Sequence, residues 1–172
     1  MLYNKIILAF SFFFLTGCGF EAIYSEKTRS YLESEIELIE IKPIKNRLGQ
    51  QIRNHLIQLI VRKDPAPKFK YSLSITVTEL KEELAIKKSE IATRANLTFQ
   101  TQFSIINKTT KRKIASGTNR VITSYNILRS SFAGLMAEKD ARKRAAREIS
   151  RDILTKISVS FKRNLNPREK TK

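Results

Sequence analysis

At 172 residues, with 41% of them hydrophobic, the chain is long enough for one domain with a true core and too apolar for wholesale disorder. Charge is the unusual feature: 33 Lys and Arg against 16 Asp and Glu give +17, which implies an anionic partner or surface and leaves the fold open. One Cys and one His exclude an intramolecular disulfide, a Cys-based zinc site and a His pair for a metal; with no GxGxxG, P-loop or GxSxG present, neither an enzyme nor a metal or cofactor site is expected.

The chain opens with Lys5 and then an uncharged apolar run from Ile6 to Leu15. That run is too short for a bilayer core, which takes about 20 helical residues, and it reads as the apolar region of a secretory signal over residues 1–17. Leu15-Thr16-Gly17-Cys18 looks like the bacterial lipobox: a branched apolar residue, two small residues, then cysteine. The small residues let a peptidase reach the bond before Cys18. The Cys18 thiol would carry diacylglycerol and its freed amine an N-acyl chain such as palmitate. One chain anchors marginally, at about 0.8 kcal/mol per buried CH₂, and two or more anchor stably. Gly19 follows the cysteine where an aspartate would signal inner-membrane retention in enteric bacteria, so an outer-membrane lipoprotein is expected.

Residues 18–34 are polar with scattered aromatics and read as a lipidated tether. Residues 35–41 alternate charged and apolar positions, as a half-buried strand does, and Pro43 ends them. Leu48, Ile52, Leu56, Leu59 and Ile60 have helical spacing, and Asp64-Pro65-Ala66-Pro67 stops that helix. Phe69, Tyr71, Leu73, Ile75 and Val77 alternate with Lys, Ser and Thr, and Leu97, Phe99, Thr101, Phe103 and Ile105 repeat the pattern. A turn is expected over 107–110 and a further strand over 113–125. Ser130 or Ser131 can cap a final helix in which Ala141, Ala145, Ile149, Ile153, Ile157 and Phe161 make a stripe at i, i+4. Residues 164–172 form a polar tail. The expectation is one α+β domain over 35–163, with a four-stranded, mostly antiparallel sheet, two helices on one face, and the order β-α-β-β-β-α.

Charge is unevenly placed. Residues 1–107 hold 15 basic and 11 acidic residues, whereas 108–172 hold 18 basic and 5 acidic. Lys111-Arg112-Lys113 sits at the turn before the last strand, and Lys87-Lys88 in the connection before the third. These five could reach a ligand from the sheet ends, with Arg94 and Arg120 next. Arg142, Lys143, Arg144, Arg147 and Arg151 line the final helix, where any single one reads as part of a solvated face. His55 reads as a polar residue flanking a helix stripe.

Several short stretches resemble the LPS-assembly lipoproteins (LptE), in particular their alphaproteobacterial branch. Gly17-Cys18-Gly19-Phe20 with Ile23-Tyr24 is similar to the start of that branch, although Ala22 stands where proline is common. Gly49-Gln50-Gln51-Ile52-Arg53-Asn54-His55-Leu56 is similar to the family's first helix. Ser124-Tyr125-Asn126, Phe132-Ala133 and Asp140-Ala141 with Arg144-Ala145 match the start and body of its last helix. These are packing and turn residues, so they indicate a family more than a mechanism.

The resemblance implies a lipoprotein, held on the periplasmic side of the outer membrane, that partners and plugs the lumen of a large β-barrel LPS translocon (LptD-type). It would aid barrel assembly and contact lipopolysaccharide on its way to the outer leaflet. A polyanionic lipid and a polar lumen would account for the charge. Lys87, Lys88, Lys111, Arg112, Lys113, Arg94 and Arg120 are the candidate lipopolysaccharide contacts, and Cys18 the lipidation site. One alternative is a structural lipoprotein of another outer-membrane assembly complex. The other is a basic nucleic-acid-binding protein, which would require the lipobox reading to be false.

Overall fold

The computed structural model describes residues 26–60, 68–85 and 92–165, so Cys18, Lys87 and Lys88 lie outside the described residues. In chain order it has α1 (Glu26–Glu37), β1 (Ile39–Ile41), α2 (Asn46–Leu59), β2 (Tyr71–Ala85), β3 (Ala92–Asn107), β4 (Lys113–Asn126) and α3 (Ser131–Leu165). The sheet order is β1-β2-β3-β4. β1 pairs parallel with β2, and the two remaining pairings are antiparallel. This is the expected α+β fold with a helix added at its start.

Alternation decides which face of the sheet is buried. Leu73 pairs with Ile105, Ile75 with Phe103, and Phe99 with Val121, all on the face under the helices. The other face carries Ser74, Ser104 and Ser116 in one row and Thr76, Gln102 and Thr118 in the next. α2 buries Leu48, Ile52 and Leu56. α3 buries the whole stripe of Ala141, Ala145, Ile149, Ile153, Ile157 and Phe161, so the two helices and the sheet share one core. Arg53, from the family-like stretch, donates to the Ile41 carbonyl at 3.2 Å and ties α2 to the end of β1. Gly49 is required by close approach: a Cβ there would meet the Ile44 side chain at 2.5 Å.

Two expectations change. Residues 26–34, read as tether, are helical, and 35–37 end that helix, so β1 is only Ile39–Ile41. Leu32 is buried and Ile36 packs against the core, an i, i+4 pair that presents one apolar edge to the domain. Glu35 completes the hold by accepting hydrogen bonds from the Tyr71 hydroxyl and, at 3.1 Å, from the Lys70 ammonium. Second, β2 continues past Val77 to Ala85, with Glu79, Lys81 and Glu83 opposite Phe99, Leu97 and Ala95 on the helix-side face. Glu79 and Lys81 are tolerated there because α3 supplies Arg142 and Glu138 as their partners, and Glu83 pairs with Lys81 at 3.4 Å.

Candidate functional site

β3 has 16 residues, which at about 3.4 Å each separates the two ends of the sheet by roughly 50 Å. Functional candidates therefore fall into distinct places. The β3–β4 hairpin stands at one end. Its turn is built by Asn107, whose side-chain carbonyl accepts the backbone N–H groups of Thr109 and Thr110 at 2.9 and 3.0 Å. Lys111 follows in the left-handed region at φ 57°, and Lys111, Arg112 and Lys113 all project exposed from the turn. Among the described residues none of these three side chains has a carboxylate partner.

Beside these cations lies a cleft of about 390 Å³ lined by Tyr31, Tyr71, Arg112, Lys113, Ile114 and Phe161. Tyr71 and Phe161 meet edge to face with ring centroids 5.1 Å apart, so β2 and α3 together form its aromatic part. Tyr31 of α1 closes one side and is itself 42% exposed. Burial, then the bond to Glu35, pushes the Tyr71 hydroxyl up, while the Tyr71 and Glu35 side chains push the Lys70 ammonium up. The site thus offers fixed cations next to partly open aromatic surface. That combination suits an anionic amphiphile better than a bare polyanion.

The other candidates lie elsewhere. Arg120 pairs with Gln100 in mid-sheet, on the hydroxyl- and amide-rich face. Arg94 pairs with Asn126 at the end opposite the hairpin and lines a shallow cleft with Ser124, Leu128 and Arg144. From Arg94 to Ile106, the partner of Lys113, is about 40 Å of strand, so Arg94 and the hairpin cannot contact one small headgroup together.

Two of the α3 cations serve the fold. Arg142 binds Glu138 at 2.6 Å and Glu79 at 2.8 Å. Arg144 pairs with Asp140 and donates to the Ser124 carbonyl at 3.1 Å, at the edge of β4. Glu138 is the hub: it also accepts the Tyr125 hydroxyl at 2.7 Å and Lys81 at 3.2 Å, with only 19% of its side chain exposed. Burial pushes its carboxyl up, but hydrogen bonds from Tyr125, Arg142 and Lys81 outweigh that and hold it below the usual 4.5.

Glu138→Gln is accordingly expected to cost about 2 kcal/mol of stability at pH 7, since charge-assisted bonds contribute about 1.5–3 kcal/mol each and Arg142 keeps Glu79. A carboxyl held low in the folded state stabilises fully above its unfolded value and loses that contribution as pH falls through the folded one. The gap between wild type and variant should therefore be full at pH 7 and close below pH 4.5, in urea titrations at both pH values.

The family profile described as "LptE: Lipopolysaccharide-assembly" matches residues 35–157, most of the chain. The chain belongs to the LptE family. No curated protein matches it. The LptE fold recurs in solved structures at low identity: a lipoprotein from Caulobacter crescentus aligns with TM-score 0.62 at 19% identity, over 76% of this chain and 95% of that one. The rare lipoprotein B of Shewanella oneidensis aligns with TM-score 0.54 at 13% identity, over 74% and 97%. A minor lipoprotein of Acinetobacter baumannii gives TM-score 0.50 at 19% identity, over 72% and 90%. These likenesses concern the fold. Most of α1, including Tyr31 on the cleft, precedes the stretch that the LptE profile matches.

Proposed function

We propose that this LptE-family chain is an outer-membrane lipoprotein, acylated at Cys18, that partners and plugs a large β-barrel lipopolysaccharide translocon of the LptD type. In this reading it aids assembly of the barrel and delivery of lipopolysaccharide to the outer leaflet. It does so by binding and positioning, with no catalytic residue. The observation that carries the lipid role is the hairpin: among the described residues, Lys111, Arg112 and Lys113 stand without carboxylate partners beside the Tyr71–Phe161 cleft. A phosphorylated, acylated glycolipid would place phosphate on the cations and apolar or sugar surface on the rings. α1 packs at this same end through Tyr31 and Glu35, and the acylated residue precedes it by a short segment.

The partner is tested by affinity purification of the tagged full-length protein from mildly solubilised native envelopes, with mass spectrometry of what copurifies. A large β-barrel in near-equal amount is the expected result; components of another assembly complex in its place would overturn the translocon reading. The ligand site is tested with the Lys111→Gln/Arg112→Gln/Lys113→Gln variant against purified lipopolysaccharide. At about 1 kcal/mol per cation near an anionic lipid surface, affinity should fall at least about tenfold at low salt, and the deficit should shrink at high salt. Unchanged affinity at low salt would remove the hairpin from the site.

A further inference from the structure

β4 is the last strand of the sheet, and among the described residues no strand pairs with its outer side. A free edge of 14 residues offers a row of unpaired N–H and C=O groups to any other strand. Its second half is suited to such pairing. Val121 to Asn126 is a run of six, mostly β-branched or aromatic, without charge, Gly or Pro. Ile122, within that run, is 51% exposed.

Parity along β4 decides which of its carbonyls face outward. Asn119 lies opposite Thr101 of β3 and accepts its hydroxyl at 3.5 Å, so the Asn119 carbonyl points into the β3–β4 ladder. Peptide groups alternate in direction along a strand, so Thr118, Arg120, Ile122 and Ser124 turn their N–H and C=O groups to the free side. Two of these carbonyls are occupied. Lys156 donates to the Thr118 carbonyl at 2.6 Å and Arg144 to the Ser124 carbonyl at 3.1 Å. Between them Asn119 donates to Asp152 at 2.8 Å, so α3 runs antiparallel to β4 along this stretch. The spacings match: from Arg144 to Lys156 the helix rises about 18 Å, and from Thr118 to Ser124 the strand covers about 20 Å.

The other free edge has a different defence. Beyond Leu73, where β1 ends, β2 carries Glu79, Lys81, Glu82 and Glu83, a charged run that resists pairing. β4 has no such run between Thr118 and Ser124, where Arg120 is the only charge. We propose that Arg144 and Lys156 are clips that close the β4 edge to the β4 strand of a second copy, and so hold the chain as a single copy. An added strand would need the Thr118 and Ser124 carbonyls as acceptors. With both engaged by cations, it would lose two ladder bonds and meet two positive side chains at the edge.

The test compares tagged full-length proteins purified in detergent, by size-exclusion chromatography with light scattering over a dilution series. The wild type is expected as one copy per particle. Arg144→Ala/Lys156→Ala should self-associate at concentrations at least about tenfold lower, with the circular-dichroism spectrum unchanged because both side chains are exposed. Lys143→Ala/Arg147→Ala removes the same charge from exposed positions of α3 and should stay single. Adding Ile122→Pro to the unclipped variant should restore the single state: the Ile122 N–H faces outward, so the edge loses a donor while the ladder with β3 keeps its bonds. A benzophenone amino acid at position 122 of the unclipped variant should join it to residues 116–126 of a second copy, which decides the matter if the proline variant does not fold. An unclipped variant as single as the wild type, equal association of the Lys143/Arg147 variant, association that a folded Ile122→Pro variant does not relieve, or adducts outside β4 would each overturn the clips.

Discussion

Phe99→Ala is expected to destabilise the domain by about 3–5 kcal/mol, a large part of the stability of a domain this size. Phe99 is fully buried in the middle of β3, with Glu79 opposite on β2 and Val121 opposite on β4. Truncation would leave a cavity beneath α3 at the point where all three long strands meet. β3 lies between β2 and β4 and carries the hairpin at one end and Arg94 at the other, so the loss reaches both functional ends through one element. In urea titrations followed by circular dichroism, the midpoint should drop with the slope unchanged. A midpoint shift worth less than about 1 kcal/mol would mean that the odd-numbered face of β3 does not face the helices.

The pattern that places Phe99 inside is local, which is why it could be read from the sequence. Phe99, Thr101, Phe103 and Ile105 alternate with polar residues, and Ala141 to Phe161 recur every fourth position, so side-chain direction follows from backbone geometry alone. α1 had no such signal. Its apolar edge is little more than Leu32 and Ile36, and its attachment depends on Glu35 meeting Lys70 and Tyr71, some 35 residues away. Alternation in 35–41 competed with that edge and suggested a strand. The same limit applies to the end of β2, where Glu79 and Lys81 look like part of a solvated connection until α3 brings Arg142 and Glu138 to them.

The candidate site divides in the same way. The hairpin was legible because Asn107 builds its own turn from neighbouring N–H groups, and a charge run on a turn must be exposed. The aromatic half of the cleft was not, since Tyr31, Tyr71 and Phe161 come from three elements far apart in sequence. Charge on α3 was misleading in detail. Arg142 and Arg144 look like members of one basic face, yet one closes an ion-pair network and the other caps a carbonyl on β4. Phe132 misled in the opposite sense, because an aromatic residue in a family-like motif suggests packing, whereas its side chain is mostly exposed.

Cys18→Ser is expected to abolish acylation entirely and to leave a precursor that keeps residues 1–17. The hydroxyl cannot form the thioether to diacylglycerol, and cleavage of a lipobox depends on that modification first. With two or more chains of about 0.8 kcal/mol per buried CH₂, the acylated form is held in the membrane against any competing equilibrium. Without them the uncleaved apolar run is too short to span. Radiolabelled palmitate should therefore enter the wild type and not the variant, whose band should migrate as the larger precursor. Normal cleavage together with labelling in the variant would disprove the lipobox. The consequence reaches the hairpin as well. α1 sits on the cleft through Tyr31, so on the proposed acylation of Cys18 losing the anchor would remove the link between the cleft and the membrane without altering either wall of it. The variant should then bind purified lipopolysaccharide as the wild type does in detergent, yet fail to deliver it in cells. Those two readouts, taken together, separate holding the lipid from being held beside it.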